Sequence, residues 1–350
     1  MNGVIILDKP AGWTSHDVVN RMRRILGQRS VGHLGTLDPL ATGVLPLVTG
    51  SLTRLAQFYT TSEKTYEGVI RFGFATNTYD ADGEPLEPNV GTAAPGCPEG
   101  RRSDLSLETL QKLSERFIGL IDQVPPPFSA KKIQGVPAYK LARKQHEVIL
   151  KPVQVEIKEF IVTAVQGERA TFRARVASGT YMRSVAHEMG QLLGCGAHLE
   201  SLRRTAVAEF EIGQSHTLEE IEEQMKDPSR DCPSDPATNC HSDTESQITE
   251  GQIKLCHSEP GPRHAEEPAV SLQQRIESLF VHPRQLLPQF PSVTADEPTA
   301  ARIRTGRPIN LPDLSRARQI KVFQGQRDLI AIATRLAGTL FHPRIVFPSA

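Results

Sequence analysis

The stretch from Gly32 to Pro46, Gly-His-Leu-Gly-Thr-Leu-Asp-Pro-Leu-Ala-Thr-Gly-Val-Leu-Pro, constrains this chain more than any other. One carboxylate, Asp38, stands in it among apolar, small and turn-forming residues, and its nearest acidic neighbours in sequence are Asp17 and Glu63. Gly32, Gly35 and Gly43 permit positive φ or close backbone approach, while Pro39 and Pro46 fix φ and remove donors. The segment reads as a tight loop that holds Asp38 in one place, not as a regular element. An Asp-Pro pair by itself merely starts a turn. The density of shape-fixing residues on both sides of a single acid tilts the reading towards a site.

The remaining pattern is mixed helix and strand. A short apolar strand over 3–7 precedes a helix capped by Thr14 or Ser15, with Val18, Val19, Met22, Ile25 and Leu26 at helical spacing and Gly27 closing it. Arg21, Arg23, Arg24 and Arg29 beside it fit a solvated face or a phosphate-facing one equally. β-formers mark 62–74, and the Asp, Asn and Gly of 76–83 make a turn without the spacing or closing Glu of a calcium loop. A helix capped at Ser106 and ended by Gly119 follows, then two alternating segments, 153–162 and 170–176, that predict antiparallel neighbours. Val185, Met189, Leu192 and Leu193 mark a helix stopped by Gly194. His187-Glu188 within it lacks the second histidine of a zinc protease. Thr217 and Glu220 form a capping box for a short helix to Met225, and short β-runs occupy 320–323, 329–334 and 344–347.

Charge separates one segment from the rest. The 350 residues carry 40 basic and 40 acidic side chains, yet 226–270 holds four basic and nine acidic ones. That segment is Pro-, Ser- and Asp-rich without apolar periodicity, so a disordered acidic insert is expected, and its Cys232, Cys240 and Cys256 lack the close spacing of a structural zinc site. The body is then modestly basic, which is compatible with phosphate binding. Five scattered cysteines argue for reduced thiols in the cytoplasm, and neither a membrane span nor a signal peptide is expected. No P-loop, dinucleotide fingerprint or metal-ligand cluster occurs, so no cofactor and no metal are expected.

The 32–46 stretch resembles the catalytic signature of the TruB-type tRNA pseudouridine synthases, departing at Leu34, where the family more often has Thr or Gly. Lys9-Pro10-Ala11-Gly12-Trp13-Thr14-Ser15, Lys64-Thr65-Tyr66 and Thr76–Gly83 are similar to further family motifs. So are 123–135 with Phe128 where Tyr is commoner, 138–143, Gly179-Thr180-Tyr181-Met182-Arg183-Ser184, 194–199 and Leu202-Arg203-Arg204. The resemblance implies that Asp38 is the essential catalytic residue, that Tyr66 stacks in the active site and that Arg183 pairs with Asp38. It also implies that Tyr181 lines the site and that Leu202 touches the target base. His33 would fill or brace the space left by a flipped base, and Lys9 is expected among the substrate-binding residues. Lys131, Lys132 and Arg143, with Lys140 and Lys144 beside Phe128 and Tyr139, suit phosphates plus base stacking, although an ordinary basic loop has the same composition.

The implied fold is α+β: a mixed, largely antiparallel central sheet with flanking helices, then a small PUA-like β-barrel. Its expected divisions are a catalytic domain over 1–225 with a mobile connection at 85–103, the insert at 226–270, a return segment at 271–288 and the RNA-binding β-domain at 289–350. The implied reaction converts uridine to pseudouridine at position 55, in the T-loop of tRNA, by a monomeric enzyme. It breaks the C1′–N1 bond, turns the uracil and joins C5 to C1′ without redox change. Asp38 as nucleophile would attack ribose C1′ or uracil C6, and the sequence does not choose. An ion pair with Arg183 would keep Asp38 ionised against desolvation. Two other readings use the same surface: an idle RNA chaperone, which would not need the carboxylate, and a relative that modifies other RNA within a complex.

Overall fold

The computed structural model describes residues 1–86, 105–129, 131–133, 135–138, 150–226, 271–314 and 316–348. Most of the expected connection at 85–103, the basic and aromatic residues Tyr139, Lys140, Arg143 and Lys144, and the acidic segment from 227 to 270 lie outside the described residues.

The first ten strands are β1 (Gly3–Lys9), β2 (Val31–His33), β3 (Thr42–Thr49), β4 (Lys64–Phe72), β5 (Gly119–Gln123), β6 (Lys132–Ile133), β7 (Val136–Pro137), β8 (Val153–Gln166), β9 (Arg169–Val176) and β10 (Ala197–Val207). With β11 (Phe210–Glu211), all but the β6–β7 hairpin join one sheet in the order β1-β3-β10-β4-β9-β8-β5, where β2 pairs with β3 and β11 with β10. Every pairing in it is antiparallel except β3 with β10, so the expected mixed, largely antiparallel sheet is present.

Alternation decides which face is covered. Ala170, Phe172, Ala174 and Val176 of β9 are buried, while Arg169, Thr171, Arg173 and Arg175 between them are exposed. The buried face meets Val18, Val19 and Met22 of the Ser15–Ile25 helix, Leu110 of the Leu107–Glu115 helix and Val185 and Met189 of the Met182–Leu193 helix, forming one core. On the open face Glu200 pairs with Arg169 and Arg71, and Glu63 with Lys158. Helix ends follow the sequence: Thr14 closes a capping box on Asp17, Ser106 caps Thr109, and Gly194 at φ 67° ends the Met182–Leu193 helix.

Two central strands depart from the sequence reading. The 32–46 stretch is not all loop, because Val31–His33 and Thr42–Thr49 are strands and only the residues between them turn. Val44, Leu45, Leu47 and Val48 are buried, and packing on both sides of β3 outweighs the presence of Pro46. Strand β10 has no clean alternation: Ala197, His198 and Leu199 are buried in succession, and its register against β4 shifts twice.

The C-terminal part is a five-stranded sheet, β12 (Ser292–Ala295), β13 (Ile309–Asn310), β14 (Gln319–Gln324), β15 (Asp328–Ala337) and β16 (Leu340–Val346), ordered β12-β14-β15-β16-β13. The Glu297–Arg304 helix packs on it around Ala300, Ile303 and Phe341. A second core joins it to the large sheet: Val4, Ile6, Val44 and Val48 pack with Leu286, Leu287, Phe323, Leu329, Ile345 and Phe347. The Leu287 N–H donates to Glu209 Oε1 (2.8 Å), and the Tyr59 hydroxyl donates to the same oxygen (2.6 Å). The small β-unit is thus built into the back of the large one.

Candidate active site

The residues on either side of Asp38 are fixed by the segment 9–15. The Ser15 hydroxyl accepts from the Leu37 N–H (2.8 Å) and donates to the Leu37 carbonyl (3.2 Å). The Gly12 N–H donates to the Pro39 carbonyl (2.9 Å). The ammonium of Lys9 donates to the carbonyls of Pro10 (2.8 Å), Trp13 (2.7 Å) and Pro39 (3.2 Å). A turn closes with the Ala41 N–H on the Asp38 carbonyl (3.1 Å). Thus Leu37 and Pro39 are held by one neighbouring segment, and the orientation of the intervening carboxylate follows from that.

Lys9 is therefore placed differently from the sequence expectation. It is 0% exposed, and burial lowers its pKa to about 8 despite the nearby charge of Asp38. With three backbone carbonyls as partners it is a brace beneath the loop.

Asp38 opens into a cleft of about 600 Å³ lined by Ser15, His33, Asp80, Phe128, Ser129 and Arg183 among others. Arg183, one residue into its helix, is 5% exposed and pairs with the carboxylate: Nη2 donates to Oδ1 at 3.0 Å, and Nε stands 2.9 Å from Oδ2 as an ion-pair contact outside hydrogen-bond geometry. Its remaining contacts are the carbonyls of Thr78 (3.2 Å) and Phe128 (3.1 Å) and the Asp80 carboxylate (3.3 Å). Asp80 is the site residue that sequence reasoning passed over. The sequence shows 76–83 only as a turn, and in the structure it docks on β10 through Ala81 N–H to the Leu199 carbonyl (3.0 Å) and Leu199 N–H to the Tyr79 carbonyl (3.0 Å). Nothing in a run of turn residues announces that one of its acids will face an arginine about a hundred residues away.

The electrostatic balance also differs from the expectation. Arg183 does favour the Asp38 anion, but burial works against it more strongly and Asp80 adds a like charge. The Asp38 pKa lies above the ordinary carboxylate value. Tyr181 caps the Met182–Leu193 helix through its backbone, its carbonyl accepting from the Ser184 N–H (3.1 Å). Its phenol is pushed up by burial and by the charge of Asp38. Gln123, fully buried, fixes the Tyr181 backbone from both sides, accepting from its N–H (2.8 Å) and donating to its carbonyl (3.1 Å). His33 lines the cleft, and burial together with the charge of Arg204 lowers its pKa, favouring the neutral ring.

Tyr66 and Leu202, on the neighbouring strands β4 and β10, are each 8% exposed and pack in the same core as Leu37, and neither lines the cleft itself. Tyr66 sits opposite Arg204 in the β4–β10 ladder, close enough for its phenol to interact with that guanidinium. Lys131 is exposed, Lys132 is placed by its backbone alone, and Arg143 lies outside the described residues. Among the described residues no group of three or more metal-ligating side chains occurs, and no helix is long and apolar enough to cross a membrane. What the cleft offers is a buried guanidinium shared by two carboxylates, Asp38 and Asp80, with the Tyr181 phenol near enough to feel the charge of Asp38.

Comparison with known proteins fits this geometry. The model of the TruB family pseudouridylate synthase N-terminal domain matches residues 23–182, and that of the tRNA pseudouridylate synthase B C-terminal domain matches 183–232. A tRNA pseudouridine synthase B of Solibacter usitatus (strain Ellin6076) is 42% identical over 349 residues, covering 99% of this chain and 100% of that protein. One from Thermobifida fusca (strain YX) is 45% identical over 229 residues, covering 63% of this chain and 74% of that protein. Among solved structures, a chain of an H/ACA RNP bound to a substrate RNA containing 2′-deoxyuridine aligns at TM-score 0.62 and 20% identity, covering 99% of this chain and 85% of its own. A chain of a Cbf5-Nop10-Gar1 complex aligns at TM-score 0.60 and 22% identity, covering 96% and 79%. These two share the fold.

Proposed function

The chain belongs to the TruB family of pseudouridylate synthases, and on that premise we propose that it isomerises uridine to pseudouridine at position 55, in the T-loop of tRNA, with Asp38 as nucleophile. The observation that carries this reading is the Asp38–Arg183 pair, at 2.9 and 3.0 Å, in a cleft whose floor holds both neighbours of Asp38 in place. A uridine stacked in RNA is flipped out to enter such a cleft. There the ring would stack on Tyr66 and touch Leu202, while neutral His33 braces the space left behind. Asp38 attacks C1′ or C6 and the C1′–N1 bond breaks. The uracil then turns, C5 joins C1′, the bond to Asp38 breaks and returns its carboxylate, and the proton lost from C5 is balanced by one gained at N1. Atoms and electrons balance within the substrate, so the step calls on no cofactor. Lys131, Lys132 and Arg143 would meet tRNA phosphates, and the C-terminal sheet, read as PUA-like, would add RNA contact to a monomeric, cytoplasmic enzyme.

The test is Asp38→Asn, which keeps the shape of the side chain and removes the anionic oxygen. The purified variant is expected to fold and bind tRNA yet form no pseudouridine. Turnover within about tenfold of the parent, about 1.4 kcal/mol in barrier, would sink the assignment. The parent carries its own signature. Its single-turnover rate should fall with acid at a pH above the ordinary carboxylate range, because a raised pKa protonates Asp38 early.

A further inference from the structure

Arg204 is 0% exposed, and no carboxylate pairs with it directly. Its Nε donates to the Val44 carbonyl (2.7 Å), Nη1 to the Thr36 carbonyl (3.2 Å) and Nη2 to the Gly35 carbonyl (3.1 Å). Tyr66 stands directly opposite it in the β4–β10 ladder, where its phenol is within reach of the guanidinium. A buried guanidinium is costly unless its donors are satisfied, and here that role falls to backbone oxygens. Thr36 lies two residues before Asp38, and Val44 belongs to the buried run of β3 beyond it. The one side chain therefore reaches the loop before the nucleophile, the strand after it and the residue read as stacking on the base.

We propose that Arg204 is a positioning residue of the reaction: its planar fork sets the Asp38 loop and the Tyr66 ring at a fixed separation, so that a uracil stacked on one is presented to the other. The inference rests on the assignment of Asp38 and Tyr66 above. Ser15, Gly12 and Lys9 fix residues 37 and 39, whereas Arg204 fixes 35 and 36, so the loop is held from two independent directions. Only the second of these also reaches Tyr66. The charge matters as well, because it opposes protonation of His33, Lys9 and Lys64 around the site. An ammonium is a point donor on a shorter reach and cannot span three carbonyls and a phenol at once.

Arg204→Lys tests this by separating binding from chemistry. The variant, with Arg204→Gln beside it, is compared with the parent in melting temperature, tRNA affinity and single-turnover pseudouridine formation at saturating tRNA. A displacement of about an ångström at a reacting centre costs on the order of a hundredfold. The expectation is that Arg204→Lys folds, binds tRNA within about threefold of the parent and loses tenfold to a hundredfold in rate. Tyr66→Phe, which removes only the hydroxyl, should cost much less in the Arg204→Lys background than in the parent. Additive losses, an unchanged rate in Arg204→Lys, or a loss confined to affinity would overturn the proposal. Failure of both Arg204 variants to fold would do so too, leaving Arg204 a strut of the core. Parent activity on tRNA, measured alongside, reports on the assigned reaction independently of these outcomes.

Discussion

Lys9 shows how a charge in a motif is read wrongly for a good reason. The resemblance puts Lys9 among the substrate-binding residues, and in the structure three carbonyls converge on its ammonium and bury it. Sequence displays the charge and its neighbours, while the convergence of Pro39 from another segment is a tertiary fact. The placement has a measurable consequence. Folding holds the amine at about 8, and the unfolded chain keeps it near the ordinary 10.5, so between those values the unfolded state binds more protons. Stability contributed by Lys9 is thus partly masked below pH 8 and rises as pH climbs from 8 to 10.5. Lys9→Met should be less stable than the parent at every pH, since three carbonyls lose their donor. The gap should widen over that window by on the order of 2 kcal/mol. Urea denaturation of both proteins at pH 7.5 and 10 measures it, and a constant gap would show that the amine titrates normally.

At the scale of elements, the contact between β3 and β10 joins the two halves of the large sheet by a short parallel pairing, Arg203 opposite Thr42 and Arg204 opposite Gly43. Gly43 has φ 99°, and a Cβ there would stand 2.2 Å from the Arg204 carbonyl oxygen. Gly43→Ala is therefore expected to cost at least about 2 kcal/mol from left-handed strain and steric clash together, with activity falling alongside. A parent-like melting temperature would refute that. The glycine's constraint was legible in the sequence, and so were the helices that open at Thr14, Ser106 and Thr217, because capping chemistry is local. Strand β10 was not. Its buried residues run consecutively, its register is broken, and its inward charge, Arg204, resembles any surface arginine until the carbonyls it serves are seen. Asp38 and Arg183 were both named beforehand through resemblance, whereas Asp80, which shares the guanidinium, depends on a loop docking that local pattern does not encode.

For the whole molecule, the divisions suggested by composition have unequal physical standing. The acidic segment carries nine acidic against four basic residues, and its two ends meet: the Leu218–Met225 helix lies beside Leu272–Ser278, and Arg275 donates to the Lys226 carbonyl at 2.8 Å. A short Gly-Ser linker can close that gap without moving either helix, and the charge removed is the sign that repels RNA. The C-terminal sheet is different. Phe323, Leu329, Ile345 and Phe347 pack with Val4, Ile6, Val44 and Val48, the residues of β1 and β3 that back the Asp38 loop. Ending the chain after residue 288 would expose that apolar surface at about 25 cal/mol per Å² and loosen β3. Excising 227–270 should therefore leave the melting temperature and pseudouridine formation close to those of the parent, while truncation after 288 should give insoluble or poorly folded protein even when assayed on tRNA lacking any contact to the missing part. Zinc bound stoichiometrically by the parent, or a melting temperature lowered by chelator, would contradict the first expectation. A soluble truncated protein with parent-like melting would contradict the second and make the small β-unit a detachable accessory.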